Sequence, residues 1–423
     1  MKLFTLPYIP PIALSPRVAA WLCAVVAAVL AAVKLFLVDG GTGGSTLIYA
    51  SLLVLFLLLG LLVRPEKQGK RERAETPRSG RLALALIPLL ILLEACVGTF
   101  RQDPASMYHP WMRLAYFALM LAALGPLLFT PMLTRLRRAS LWAILGLCTI
   151  LQWLSAAKYL WYRLNDITIE QPFHGILFGG VGLSHIAALC TVALVALYCL
   201  QSTRRCNAIA LLAAILPMPL MVLVGTSRIA AVALAVGLIA VWALARNRRA
   251  IISAIVVGAA SLASLSLDSN ATDAFVFKHQ LNIAYGSAAS SRTPLWESRI
   301  EEFRTAPLFG IGVGRQTVYH HSVYSDEVIA QSPNCEPGSL YLGLLAQTGI
   351  LGLLLFLALN LALLIPALKA RSLYLPLLLA LLVLGIAEGY ILAAGSTLAL
   401  LYWLSASLLP TSTPKQPSPS SAK

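Results

Sequence analysis

The chain has 423 residues, of which 59% are hydrophobic and only 12% charged, with a formal net charge of +15. So apolar a composition excludes an ordinary soluble domain, and basic residues grouped in short clusters between apolar runs argue against a nucleic-acid partner. The 7 cysteines are scattered without CxxC or Cys/His spacing, so neither a disulfide framework nor a metal site is expected, and no cofactor.

Twelve apolar runs follow one another, each near the roughly 17–25 residues that cross a bilayer as helix. They lie at about 18–38, 46–63, 82–98, 110–130, 139–157, 179–200, 207–225, 229–245, 250–266, 341–365, 373–390 and 391–409. The expected fold is all-α: a polytopic membrane protein of about 12 transmembrane helices, one domain over residues 1–423. The first run is too long for a signal-peptide core and reads as the first span. Lys and Arg gather in alternate connections, at 64–81, 135–138, 204–205, 246–249 and 369–371. The positive-inside rule then makes that face cytoplasmic, puts both termini there, and leaves the other face outward. The Pro/Ser-rich tail at 411–423 reads as disordered.

Three outward segments remain: 99–109, 158–178 and a large loop at 267–340. The large loop is the only long water-exposed segment and holds most of the ionisable groups that could do chemistry outside the bilayer. Within it, Thr293-Pro294 reads as an N-cap with proline at the first helical position. Trp296, Ile300 and Phe303 then recur at helical spacing as one apolar stripe, and Pro307 stops the helix. The loop is therefore expected to hold an amphipathic helix lying on the membrane surface or on the bundle. Gly310, Gly312 and Gly314 follow. Without a surrounding strand–turn–helix, tight turning is a better reading of them than a phosphate loop.

Charges at the outward face are the candidates for chemistry. Arg228 lies in a very short turn, GTSR, between two apolar spans, where an arginine is costly unless it meets water, headgroups or an anion. Arg292 stands just before the amphipathic helix and suits phosphate. Arg163 and Lys158 are of the same kind. Glu336, before the run that starts near 341, and His320 and His321, earlier in the loop, are candidate general bases. Glu94 and Glu388 fall near outward ends of spans, while His185, His174 and Gln152 read as packing or interface residues. Arginines and a base without metal ligands suit a diphosphate leaving group, held by guanidinium while a base deprotonates an attacking hydroxyl.

The series Arg292, Trp296, Pro-Leu-Phe-Gly-x-Gly-x-Gly at 307–314 and Leu-Tyr-Leu-x-Leu-Leu-Ala-Gln-Thr-Gly-Ile-Leu-Gly at 340–352 resembles the O-antigen ligase and polymerase superfamily. QPFHGILFGG at 171–180, and GTSR with Arg228, resemble further motifs of that family. The resemblance implies an inner-membrane glycosyltransferase that takes glycan from undecaprenyl diphosphate at the periplasmic face. The acceptor would be a hydroxyl of lipid A–core in a ligase, or the growing glycan in a polymerase. It also implies that Arg228 and Arg292 hold the diphosphate. Where the family often has His-Asn before Leu-Tyr-Leu, this chain has Gly338-Ser339 preceded by Glu336-Pro337, so Glu336 is the nearest replacement for the base. A twelve-span transporter is the reading from another class. Transporters often show repeated halves with a long connection at mid-chain, whereas the long loop here follows the ninth run.

Overall fold

The computed structural model describes residues 12–33, 35, 45–65, 78–100, 108–167, 169, 173–176, 180–201, 205–267, 280, 292–313, 317–318, 338–390 and 396–409. Over these the chain is all-helical apart from one three-residue parallel pairing of Ile12–Leu14 with Val63–Pro65. The helices are α1 (Pro16–Ala32), α2 (Ser45–Leu62), α3 (Arg78–Phe100), α4 (Tyr108–Ala123), α5 (Pro131–Leu164), α6 (Gly180–Leu200) and α7 (Arg205–Ile215). They continue with α8 (Met218–Val224), α9 (Arg228–Ala245), α10 (Arg248–Leu267), α11 (Thr293–Thr305), α12 (Leu340–Lys369), α13 (Leu375–Leu384) and α14 (Thr397–Leu408). Every one of the twelve apolar runs overlaps helix. Among the described residues, 6 helices are by length and composition long and apolar enough to cross a membrane: Pro131–Leu164, Val181–Leu200, Asn207–Val224, Arg228–Ala245, Arg248–Ser266 and Leu340–Lys369. The other apolar helices are shorter.

The core is leucine, alanine and aromatic side chains shared between helices, with α6 at its centre against α5, α8, α9 and α13. Large aliphatic side chains also face outward, among them Ile239, Ile251, Ile255 and Leu262, as expected where lipid is the solvent.

The longest helix departs from its apolar run. Thr130 caps α5 by accepting from Leu133 N at 3.1 Å, and Pro131 follows at a position that needs no amide donor. Its 34 residues rise about 50 Å at 1.5 Å each, well past the hydrocarbon of a bilayer. Both ends therefore carry charge: Arg135, Arg137 and Arg138 at one, Lys158 and Arg163 at the other.

Arg137 is not a solvated topological charge. It is fully buried and donates from Nε to Ala123 O at 2.8 Å, from Nη1 to Leu128 O at 2.8 Å and from Nη2 to Ala122 O at 2.9 Å. One guanidinium thus satisfies carbonyls at and beyond the C-terminal end of α4. Arg137→Ala is expected to cost about 3 kcal/mol through buried carbonyls left without donors. A lowered Tm in detergent, with unchanged activity per folded molecule, is the expected result.

Two spans are interrupted. The run at 207–225 breaks between Ile215 and Met218, giving α7 and α8. Helix α12 breaks at Gly349, where φ is 65° and ψ is −169°. The segment 306–313 fits into this break. Ile311 N donates to Ala346 O at 2.9 Å and Gly312 N to Gln347 O at 3.1 Å. From the other side of the break, Ile350 N donates to Pro307 O at 2.9 Å. Backbone groups that an intact helix would pair internally are thus paired with the loop. Gly310 and Gly312 hold φ of 70° and 97°, and the backbones approach so closely at Gly310 and Gly349 that a Cβ on either would run into the other strand. Gly310 and Gly312 serve a turn and a close backbone approach, in keeping with the reading that set a phosphate loop aside, while Gly314 lies outside the described residues.

Candidate functional site

One end of the bundle gathers the helix starts that matter. Leu340 N, at the start of α12, donates to Gly385 O at 2.7 Å, and Tyr341 OH donates to Leu382 O at 2.9 Å, which fixes the turn after α13. Phe173 N donates to Val224 O at 3.1 Å, and Ile176 N donates to Ser155 Oγ at 3.1 Å. Lys158 Nζ donates to His174 O at 3.2 Å and lies over the Phe173 ring, so it anchors the segment before α6.

The turn between α8 and α9 is tight, with Thr226 in the left-handed region at φ 56°. Ser227 caps α9, accepting from Ala230 N at 3.4 Å, and Arg228 is the first helical residue. The Ser227 hydroxyl also shares a hydrogen bond of 3.0 Å with His185 Nε2. His185, in the early part of α6, is only 3% exposed. One residue earlier, Ser184 Oγ donates to Val222 O at 3.2 Å, so α6 is clamped to the α8–α9 turn.

Glu388 completes the constellation. Its Oε1 accepts from Arg292 Nη2 at 2.6 Å and lies 3.7 Å from His185 Nε2. The Arg292 and Glu388 side chains are 17% and 15% exposed, largely withdrawn from water but not sealed from it. A charge pair so placed is screened less than one on an open surface. Four residues far apart in sequence, Ser227, His185, Glu388 and Arg292, therefore form one polar line from the start of α9 to the start of α11.

Arg292 is held by its own helix. It occupies the N-cap position of α11, one residue before the expected cap at Thr293, and its carbonyl accepts from Trp296 N at 3.0 Å. Trp296 Nε1 in turn donates to Gly338 O at 2.9 Å.

The buried face of α11 corrects the sequence reading. Leu295, Ser298, Arg299 and Glu302 are buried, while Ile300 of the expected apolar stripe is 38% exposed. Arg299 Nη1 meets Glu302 Oε2 at 2.8 Å, and both side chains are almost wholly buried. Glu302 Oε1 also accepts from Thr317 N at 2.6 Å and Val318 N at 3.1 Å. The helix packs on α12, and its buried face carries this ion pair instead of a purely apolar stripe.

Burial pushes the Glu302 carboxyl above its usual 4.5, and Arg299 and the Thr317 and Val318 amides pull it back in part. A raised carboxyl favours the folded state in acid, so this contribution is lost as pH climbs from about 4.5 through the raised value. Glu302→Ala would leave Arg299 buried without its carboxylate and is expected to cost about 3–5 kcal/mol. The paired change Arg299→Met with Glu302→Gln, whose amide oxygen can still accept from Thr317 N and Val318 N, should recover much of the lost Tm.

The structure brings Arg292 to the site and sets Arg228 beside the Ser227 cap. Arg163 lies exposed in the last turn of α5. Glu336, His320 and His321 fall outside the described residues, as does the side chain of Glu94. His185 and Glu388, read as an interface residue and a span-end charge, are the two ionisable groups of the constellation that sequence reasoning left out of the site, and the Ser227 hydroxyl was left out with them. The available signal was the cost of an ionisable group inside an apolar run. Among the described residues, no group of three or more His, Cys, Asp or Glu is gathered as a metal site.

Fold and site together define a multi-pass, all-helical membrane protein with a charged constellation at one end of its helices. Residues 210–357 match the family model described as O-antigen ligase, and the match supports the O-antigen ligase superfamily for this chain. It runs from α7 through the Gly349 break in α12, taking in Arg228, Arg292 and the glycine clasp, and supports a ligase- or polymerase-type function in O-antigen assembly. No match was found among curated proteins.

Proposed function

We propose that this chain is an inner-membrane glycosyltransferase of O-antigen ligase type. It moves glycan from undecaprenyl diphosphate to a hydroxyl of lipid A–core at the periplasmic face, by a metal-independent mechanism. The observation that carries the reading is the placement of Arg292 on Glu388, joined through His185 and Ser227 to the turn that bears Arg228.

The placement of charge supports the side of the membrane. Trp142 of α5 packs against Tyr374 with ring centroids 6.5 Å apart, which brings the Arg135–Arg138 cluster to the same end as Arg371. Arg249 donates to Tyr198 O at 3.1 Å and to Gln201 O at 2.6 Å, so the cluster at 246–249 caps the far end of α6. These clusters lie opposite the site, and the positive-inside rule makes their end cytoplasmic and the site periplasmic.

The chemistry follows from the leaving group. A diphosphate departs with its charge spread over oxygens, and guanidinium forks bind such oxygens in pairs. Arg228 at the positive end of α9 and Arg292 at that of α11 add the helix field to their own charge. Arg163, at the outer end of α5, is proposed as a further contact for the same anion. Membrane lipid surrounds the apolar faces and delivers the polyprenyl tail laterally.

Donor binding tests this reading directly. Purified protein should retain undecaprenyl-diphosphate-linked glycan, lose it to excess undecaprenyl diphosphate, and bind it more weakly as salt rises. Binding that survives molar salt and ignores the competitor would overturn the arginine site. A polymerase would bind the same donor, and the acceptor then separates the two.

A further inference from the structure

We infer that Glu388 is the general base for the acceptor hydroxyl, and that Arg292 holds it in check until the donor's diphosphate draws that arginine away. This rests on the function proposed above and adds the residue that receives the proton. Glu388 lies outside the family match at 210–357 and outside every motif on which the resemblance stands.

Geometry carries the argument. Glu388 sits in the short segment after α13, whose backbone is fixed where Gly385 O accepts from Leu340 N. Its carboxylate is therefore positioned by two helices and not by a free loop. It touches the Arg292 guanidinium at 2.6 Å, the group proposed to bind the leaving diphosphate. A base for this reaction must stand near the anomeric carbon, and hence near whatever holds the phosphate bonded to that carbon. At 15% exposure the carboxylate is reachable, whereas His185 behind it, at 3% exposed, is not.

Competition for Arg292 provides the control. A diphosphate presents more charge and more acceptor oxygens to a guanidinium fork than one carboxylate does. Once the fork turns to the donor, Glu388 has lost the Arg292 contact at 2.6 Å and still has His185 Nε2 at 3.7 Å. A carboxylate beside an anion takes up a proton more readily than one beside a cation. The base is thereby switched on only when donor is bound.

The step balances. Glu388 removes the proton of the acceptor hydroxyl, and that oxygen bonds to the anomeric carbon. The bond from the anomeric carbon to the diphosphate oxygen breaks, and its electron pair leaves with undecaprenyl diphosphate. Nothing is oxidised or reduced. His185 is a positioning residue here: tied to Ser227, it gives the released carboxylate a polar neighbour.

The test separates binding from turnover in protein reconstituted with undecaprenyl-diphosphate-linked glycan and lipid A–core. Glu388→Gln should lower kcat by about 10²–10⁴-fold while donor Kd stays the same or tightens, because Arg292 has lost its competitor. Glu388→Asp should keep part of the turnover, and it preserves the charge should the glutamine variant fold poorly. Equal losses of donor affinity and kcat in Glu388→Gln would show that the carboxylate merely orients Arg292, and wild-type turnover would show that it has no part in the chemistry. Wild-type protein that binds donor but transfers to neither acceptor would overturn the transferase reading itself, an outcome visible before any variant is made.

Discussion

Arg292→Ala is expected to abolish glycan transfer, by about 10²–10³-fold or more, while the protein still inserts and accumulates in the membrane. The side chain is directed at Glu388 from the N-cap position of α11 and makes no side-chain cap bond to that helix, so its loss is expected to leave the scaffold in place. It removes a fork that binds oxygen pairs where leaving-group charge develops. Arg292→Lys keeps the charge but loses the fork, and should recover only part of the rate. Arg228→Ala should behave in the same way, since both arginines are proposed to grip one diphosphate. The check is transfer rate per inserted molecule. Wild-type rates from both alanine variants would remove the diphosphate clamp from the account.

Gly349→Ala is expected to be the most damaging substitution outside the charged site, at about 4 kcal/mol or more. Two penalties coincide. The backbone at φ 65° and ψ −169° lies where only glycine is at ease, and an added Cβ would run into the Leu308 carbonyl group. Relieving that clash would pull apart the pairs Ile311–Ala346, Gly312–Gln347 and Ile350–Pro307 together. The natural control is Gly258→Ala, in helix α10, where an added Cβ meets nothing within 4 Å. That change should leave Tm equal or slightly raised, by helix propensity. Equal Tm values for the Gly349 and Gly258 variants would contradict the clasp.

Helix positions were legible in the sequence because apolar run length is a local property, and every run overlaps helix. Helix ends were less so. The run at 139–157 understates α5, since Arg137 is drawn into the fold by carbonyls of α4 that no local pattern reveals. The face of α11 was misread for a related reason: periodicity ranks side chains by hydropathy, and this helix buries Arg299 against Glu302. At the site, Arg228 and Arg292 stood out as isolated outward cations. Glu388 did not, because its partner Arg292 is 96 residues away and only folding brings them together. His185 was hidden likewise by a partner, Ser227, 42 residues off. The tight-turn reading of the glycines rested on the lack of a strand–turn–helix, a local feature, and the structure adds the broken helix they serve.

The most direct measurement is transfer by purified protein in liposomes, with undecaprenyl-diphosphate-linked glycan, lipid A–core and EDTA present. The account predicts glycan on lipid A–core and release of undecaprenyl diphosphate, both lost in Arg292→Ala. Longer lipid-linked chains with nothing on lipid A–core would make it a polymerase. Donor moved across the bilayer without any new glycosidic bond would contradict the account and make the protein a transporter.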